Sequence, residues 1–440
     1  MLGKLLLAVS LLMPVEPSGT TVHTGQIDGA EYRVEVPSRW NGTLLLYSHG
    51  TYPAGYNPPV EMASRPAARD ELLARGYALA ASRYRVPHGH AIPDALRDQP
   101  ALVSWFSREV ARPRRVIAWG SSLGGLTSVM LGESNRFDGV LSLCGALGGA
   151  VMRSNQLLDL GFVFRTLLEP SLEVARVSDV AVNEKRAVGA IDTALGSGPG
   201  RARLALANAV AGIPAWSRVH EPRPTEVVDA VTQAAVHDRT LARSLAWGSG
   251  RADIEARSGG NPSWNTGVDY RVLLERSVSK DLVLAAYREA GVSLEADLSA
   301  LGAAPRVSAD AAAVRWLHSF GDPAGRGNAP VVTLHAVGDP TGTEHERAYA
   351  TRERDVRQLF VNRAGHCMHT AAEELVALRV LEDRISAGRW QSVQPDRLNG
   401  LAGQYGPEMR VLQDWTTTPP REETVAPGFV THHPGRFPRP

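Results

Sequence analysis

Cysteine is scarce in this chain: only Cys144 and Cys367 occur in 440 residues. Two cysteines exclude a disulfide-built scaffold, and they leave no cysteine pair at metal-ligand spacing. Charge of one sign is lacking too. Lys+Arg number 47 against 46 Asp+Glu, a net charge of +1. No basic face follows from that balance, so nucleic acid is not an expected partner. There is no run of 18 apolar residues, and hence no expected membrane span. No internal repeat is visible. What is present is ordinary globular material, 43% hydrophobic and 21% charged. Such a chain can bury a sizeable core as one large elaborated domain or two to three ordinary ones.

Residues 1–20 form a candidate signal segment. Lys4 precedes the apolar run Leu5 to Met13, Pro14 and a polar stretch follow, and there is no clear A-x-A site. Secretion is slightly favoured over a cytoplasmic location on that pattern. Thr21 to Ile27 and Glu31 to Val36, split by Asp28-Gly29, predict a hairpin. Thr43 to Ser48, Tyr77 to Ser82, Val116 to Trp119 and Gly139 to Cys144 are continuous apolar runs, as buried parallel strands require. Helical stretches, Arg65 to Arg75 and Ile92 to Val110, separate them. Alternation of this kind predicts an α/β fold with a mostly parallel sheet after an antiparallel start.

From 150 to 326 the strand signals vanish. Asn155 to Leu168, Arg201 to Val210 and Thr225 to Leu245 repeat apolar residues at helical spacing, and Ser258 to Gly267 is loop-like around Trp264. The spacing predicts a large helical insertion, a cap. Val331 to Ala336 and Val356 to Val361 resume the sheet, and Ala371 to Ile385 suits a closing helix. The core is therefore expected over 21–149 and 327–387, with 388–440 an extended C-terminal tail.

The strand Val116 to Trp119 runs into Gly120-Ser121-Ser122-Leu123-Gly124, the pattern G-x-S-x-G, and then a helical stretch. A sharp strand-to-helix turn needs small residues on both sides of the serine. It would hold Ser122 at a helix N-terminus, with the backbone N–H of Leu123 aimed at a developing oxyanion. A serine hydroxyl needs a base, and the base needs an orienting acid. Asp339, in Gly338-Asp-Pro, and His366, in Ala364-Gly-His-Cys, each follow a strand, in the order Ser, Asp, His. Glu344 and Asp355 are weaker acids for the part because they fall in or beyond a helix. His369 lies one turn into the last helix, and His88-Gly-His90 reads as an exposed turn rather than a metal site. Thr51, in His49-Gly50-Thr51, is the expected second oxyanion donor, with Tyr52 the nearest alternative.

Together these motifs resemble the α/β-hydrolase superfamily, of the secreted serine-esterase kind, over roughly 20–150 and 328–386. The resemblance implies catalytic Ser122, Asp339 and His366, an oxyanion hole of Thr51 and Leu123, no cofactor and no metal. It implies cleavage of a small-molecule carboxylic ester through an acyl-enzyme. Alternatives are amide or peptide cleavage by the same three residues, or a non-catalytic binding protein on a hydrolase scaffold. The His366-Cys367 pair also resembles tannases and feruloyl esterases, but Ser121 stands where those have a cysteine before the serine. Cys144 closes the strand beside the one feeding Ser122, and Cys367 sits on the loop that must reach Ser122. A bridge is expected if the chain is exported, and two free thiols if it is not.

Overall fold

A computed structural model describes residues 19–244, 247–414, 417 and 419–439. The signal segment expected over 1–20 therefore falls, up to residue 18, outside the described residues. Eleven strands are found among the described residues: β1 (Thr20–Ile27), β2 (Ala30–Pro37), β3 (Thr43–Ser48), β4 (Ala78–Ser82), β5 (Arg115–Ser121), β6 (Gly139–Leu143), β7 (Val331–Gly338), β8 (Val356–Ala364), β9 (Val411–Asp414), β10 (Arg421–Thr424) and β11 (Phe429–Val430). Nine of them form one sheet in the order β1-β2-β4-β3-β5-β6-β7-β8-β11. The first hairpin pairs antiparallel, and β4 through β8 pair parallel in that order.

Residues of β3, β4 and β6 are all buried, which explains their unbroken apolar character. Alternate residues go to opposite faces. Leu45, Leu79, Ile117 and Leu141 join a cluster with Leu72 and with Leu375, Val376 and Leu378 of the helix Ala371–Ala387. Leu44, Leu46, Ala80 and Ala118 pack with Leu102 and Phe106 of the helix Ile92–Glu109. A doubly covered parallel sheet places all its strand-to-helix loops along one edge, where ligands bind in such folds.

Between β6 and β7 the described residues form helices joined by loops, with no strand, and have an apolar core of their own, with Phe162, Phe164, Ile191, Leu206 and Trp247 fully buried. The periodic stretches appear as the helices Ala150–Leu167, Gly198–Ala211 and Val227–Ser244, Leu245 lying outside the described residues. This layer packs on the loop after β7. Arg153 Nη1 donates to Pro340 O at 3.1 Å, and Gln156 Nε2 donates to Thr341 O at 3.3 Å.

The segment after residue 387 differs from an extended tail. It contains the helix Pro395–Ala402, the hairpin of β9 and β10, and β11, which pairs antiparallel with β8. A two-residue strand carries no readable period, and Pro and Gly dilute the helix. Beyond β11 the chain crosses to the helical layer. There Arg439 donates two hydrogen bonds, each 3.0 Å, to the buried carboxylate of Asp159 in the helix Ala150–Leu167. Its guanidinium also lies over Trp264, 5.7 Å from the ring centroid. The loop around Trp264 is thus engaged by the strap rather than left free.

Burial pushes the Asp159 carboxyl up to about 6, with the Arg439 charge opposing the rise. Its folded-state value exceeds the unfolded one, so its contribution to stability is fully present below about pH 4 and is lost as pH rises through about 6. Arg439→Gln removes the counter-charge. It should therefore destabilise more at pH 8, where breaking a buried pair costs about 3–5 kcal/mol, than at pH 5, where Asp159 can take a proton. Urea midpoints of the two proteins at both pH values check this; an equal loss at both would contradict it.

Candidate active site

Steric demand makes the turn after β5. A side chain at Gly120 would bring its Cβ to 2.4 Å from Ser48 O and 2.6 Å from Gly124 O, and one at Gly124 would bring it to 1.9 Å from Ser48 O. Only glycine fits at either place. The serine between them has φ 59° and ψ −121°, a region unfavourable to a residue with a Cβ. Holding it there costs on the order of 1–3 kcal/mol, and the packing around it must over-determine the turn. Part of that restraint is the Ser122 N–H, which donates to Leu143 O at the end of β6 at 2.9 Å. Ser122 caps the helix Leu123–Gly132, so the N–H of Leu123 is one of the helix's first donors, which have no intrahelical acceptor.

The loops after β7 and β8 meet at this turn. Gly365 N donates to Gly338 O at 3.0 Å, joining the loop of His366 to the loop of Asp339. His366 Nε2 lies 2.8 Å from Ser122 Oγ. His366 Nδ1 lies 2.9 and 3.0 Å from the two carboxylate oxygens of Asp339. Asp339 is fully buried and also accepts from the backbone N–H of Thr341 at 2.8 Å and of Cys367 at 3.2 Å. Burial alone would raise its pKa. The facing imidazoles of His366 and His335, with the Thr341 N–H, overcome that and hold the carboxyl well below the usual carboxylate range. An ionised Asp339 accepts, so Nδ1 donates, and Nε2 is left as acceptor for the serine hydroxyl. The His366 side chain remains 39% exposed, so a solute can reach it.

Gly50 lies against the same serine: a Cβ there would sit 3.4 Å from Ser122 Cβ and 4.0 Å from Ser122 Oγ. The next residue, Thr51, is exposed, while His49 behind it is buried and stacked between Tyr52 and Tyr84 at 3.9 and 4.2 Å. The weaker candidates lie elsewhere. Glu344 begins the helix Glu344–Ala350, Asp355 is paired with Arg384 at 2.5 Å, and His369 is paired with Glu374 at 3.1 Å. His90 is buried rather than exposed, because its Nε2 finds Phe320 O at 2.8 Å; His88 Nε2 contacts Tyr56 O at 3.1 Å.

Cys144 and Cys367 form a disulfide with Cα atoms 5.2 Å apart, tying the end of β6 to the residue after His366. Both sulfurs lie near His366, but bonded to each other they offer no thiolate to a metal. Arg65 Nη2 holds the same loop through Cys367 O at 3.0 Å. From the helical layer, Ser217 O approaches Gly365, and His237, whose pKa burial pushes down to about 4, feels the charges of Asp339 and His366. Sequence reasoning did not single out His237, Arg153, His335 or Glu346. His335 and Glu346 sit inside an apolar strand and a short helix, where only the buried position of a charged residue marks them.

The sheet order, the glycine-flanked turn after β5 and the loops after β7 and β8 converging on it are those of an α/β-hydrolase fold. The chain is 29% identical to the o-phthalyl amidase of Xanthobacter agilis over 88% of this chain and 92% of that protein. No family model matches. Among solved structures it is similar to the acylaminoacyl peptidase of Pyrococcus horikoshii (10% identity, 86% and 44% of the two chains, TM-score 0.41). Another is feruloyl esterase B of Aspergillus oryzae (11% identity, 86% and 89%, TM-score 0.39).

The disulfide closes a loop spanning 223 residues of sequence separation, for which the chain-entropy model gives about 5 kcal/mol. Reduced and alkylated protein, or Cys144→Ala/Cys367→Ala, should therefore unfold at clearly lower denaturant than the oxidised protein. Coincident midpoints would show that the bridge contributes nothing.

Proposed function

We propose that the chain is a serine hydrolase that cleaves a small-molecule carboxylic ester through an acyl-enzyme on Ser122. The observation that carries this reading is the continuous line from Ser122 Oγ to His366 Nε2 at 2.8 Å and from His366 Nδ1 to Asp339 at 2.9 Å. Both contacts are within the reach that nucleophilic catalysis needs. Ser122 Oγ attacks the acyl carbon as its proton passes to His366 Nε2. Asp339 stabilises the imidazolium without taking the proton. The oxyanion is received by the backbone N–H groups of Leu123 and Thr51. The tetrahedral adduct then collapses: the bond to the leaving oxygen breaks, and that oxygen takes the proton from His366. A water gives one proton to the same imidazole as it attacks the acyl carbon; the acyl–Oγ bond then breaks, His366 Nε2 returns that proton to Ser122 Oγ, and the acid departs. The helical layer, packed against the Asp339 loop, caps the site and shapes the acyl or alcohol pocket.

A second reading, amide cleavage by the same groups, is favoured by the likeness to an o-phthalyl amidase. It differs only in the leaving group, which His366 must protonate as the C–N bond breaks. Matched esters and amides of one aromatic acid separate the two: comparable kcat/KM on both members favours the amidase, and turnover of the ester alone favours the esterase.

Ser122→Ala and His366→Ala should each lose several orders of magnitude in kcat while remaining folded, and the double variant should be little worse than either. Asp339→Asn should cost about 10⁴ in kcat by leaving His366 in the wrong tautomer. Additive losses in the double variant would mean that the residues do not act as one unit. A fluorophosphonate that labels Ser122→Ala as well as the wild type would remove the serine assignment.

A further inference from the structure

The carboxylate of Asp339 has a second imidazole behind it. His335, on β7, is fully buried, with Nε2 3.6 Å from Asp339 Oδ2 and Nδ1 3.2 Å from Glu346 Oε1. Glu346 is also fully buried, in the helix Glu344–Ala350, and accepts from Thr333 Oγ1 at 2.6 Å and Gln358 Nε2 at 3.0 Å. Two buried carboxylates thus flank one ring. Two uncompensated anions in an apolar interior would be costly, whereas an imidazolium between them leaves the group with one net negative charge.

We propose that His335 is a positioning residue, an imidazolium clamped between Asp339 and Glu346 that keeps Asp339 ionised and aimed at His366. This rests on the reading of Ser122, His366 and Asp339 as the reacting set. The other charged or titratable groups facing the His335 ring are Glu344, His345 and His432. Burial favours the neutral ring, but Asp339, Glu346 and Glu344 outweigh it and raise its pKa. His335 touches no reacting atom. It acts on the reaction through Asp339: Oδ2, the oxygen facing the His335 ring, is also the one 2.9 Å from His366 Nδ1, so a cation behind it fixes the carboxylate between the two rings. At the same time the positive charge tempers the pull of Asp339 on the proton that His366 must later give up.

Histidine-ring ¹⁵N NMR of the wild-type protein tests the charge without reference to activity. The His335 signals, assigned by their loss in His335→Gln or by their shift in Glu346→Gln, should report both ring nitrogens protonated at pH 7. A neutral ring at pH 7 would overturn the proposal. Kinetically, His335→Gln should lower kcat about tenfold with KM within about twofold. It should also move the acid limb of kcat/KM to higher pH by about one unit, a tenfold change in proton affinity. A folded His335→Gln with lowered thermal stability but unchanged kcat and acid limb would make the residue merely structural. Failure of the serine assignment reads differently, as fluorophosphonate labelling and turnover that survive Ser122→Ala.

Discussion

Everything at this site depends on keeping one fully buried carboxylate ionised. Asp339 has no contact with solvent, and an isolated carboxylate in that position would give up its charge rather than bear the loss of hydration. The chain surrounds it instead with the His366 ring, the N–H groups of Thr341 and Cys367, and the His335 ring. Thr341 comes from the loop after β7, His366 and Cys367 from the loop after β8, and His335 from β7 itself. The carboxylate therefore organises those loops as much as they organise it. The disulfide and Arg65 fix the far end of the same loop from β6 and from the residue preceding the helix Pro66–Ala74.

The serine is organised by the opposite kind of constraint, exclusion rather than attraction. Gly120 and Gly124 have no room for a Cβ, and Gly50 presses its backbone toward the serine. The resulting positive φ at Ser122 is strain held by packing. It leaves the hydroxyl 2.8 Å from His366 Nε2 and the first N–H of the helix without an intrahelical acceptor.

These two constraints differ in how plainly they can be read from residues alone. Steric exclusion leaves a short local pattern, so G-x-S-x-G and its strand are legible. Asp339 and His366 are legible because each stands just after an apolar strand, where the chain must turn. The parallel core is legible for the same reason: β3, β4 and β6 are apolar on both faces. Long-range compensation leaves no such mark. Nothing local says that Arg439 will reach Asp159 across 280 positions, that Phe429–Val430 will extend the sheet, or that His335 will lie between two carboxylates. A histidine inside a strand reads as an interruption of an apolar run until its neighbours from other elements are known.

The proposed reaction requires a covalent bond to Ser122. Rapid quenching during turnover of an activated aryl ester, followed by intact-mass analysis and peptide mapping, reads that bond directly. An acyl-enzyme on Ser122 gives a burst of about one alcohol per enzyme molecule and a single acyl group on the peptide carrying Ser122. Steady turnover with no burst and an acyl group on another residue would contradict it.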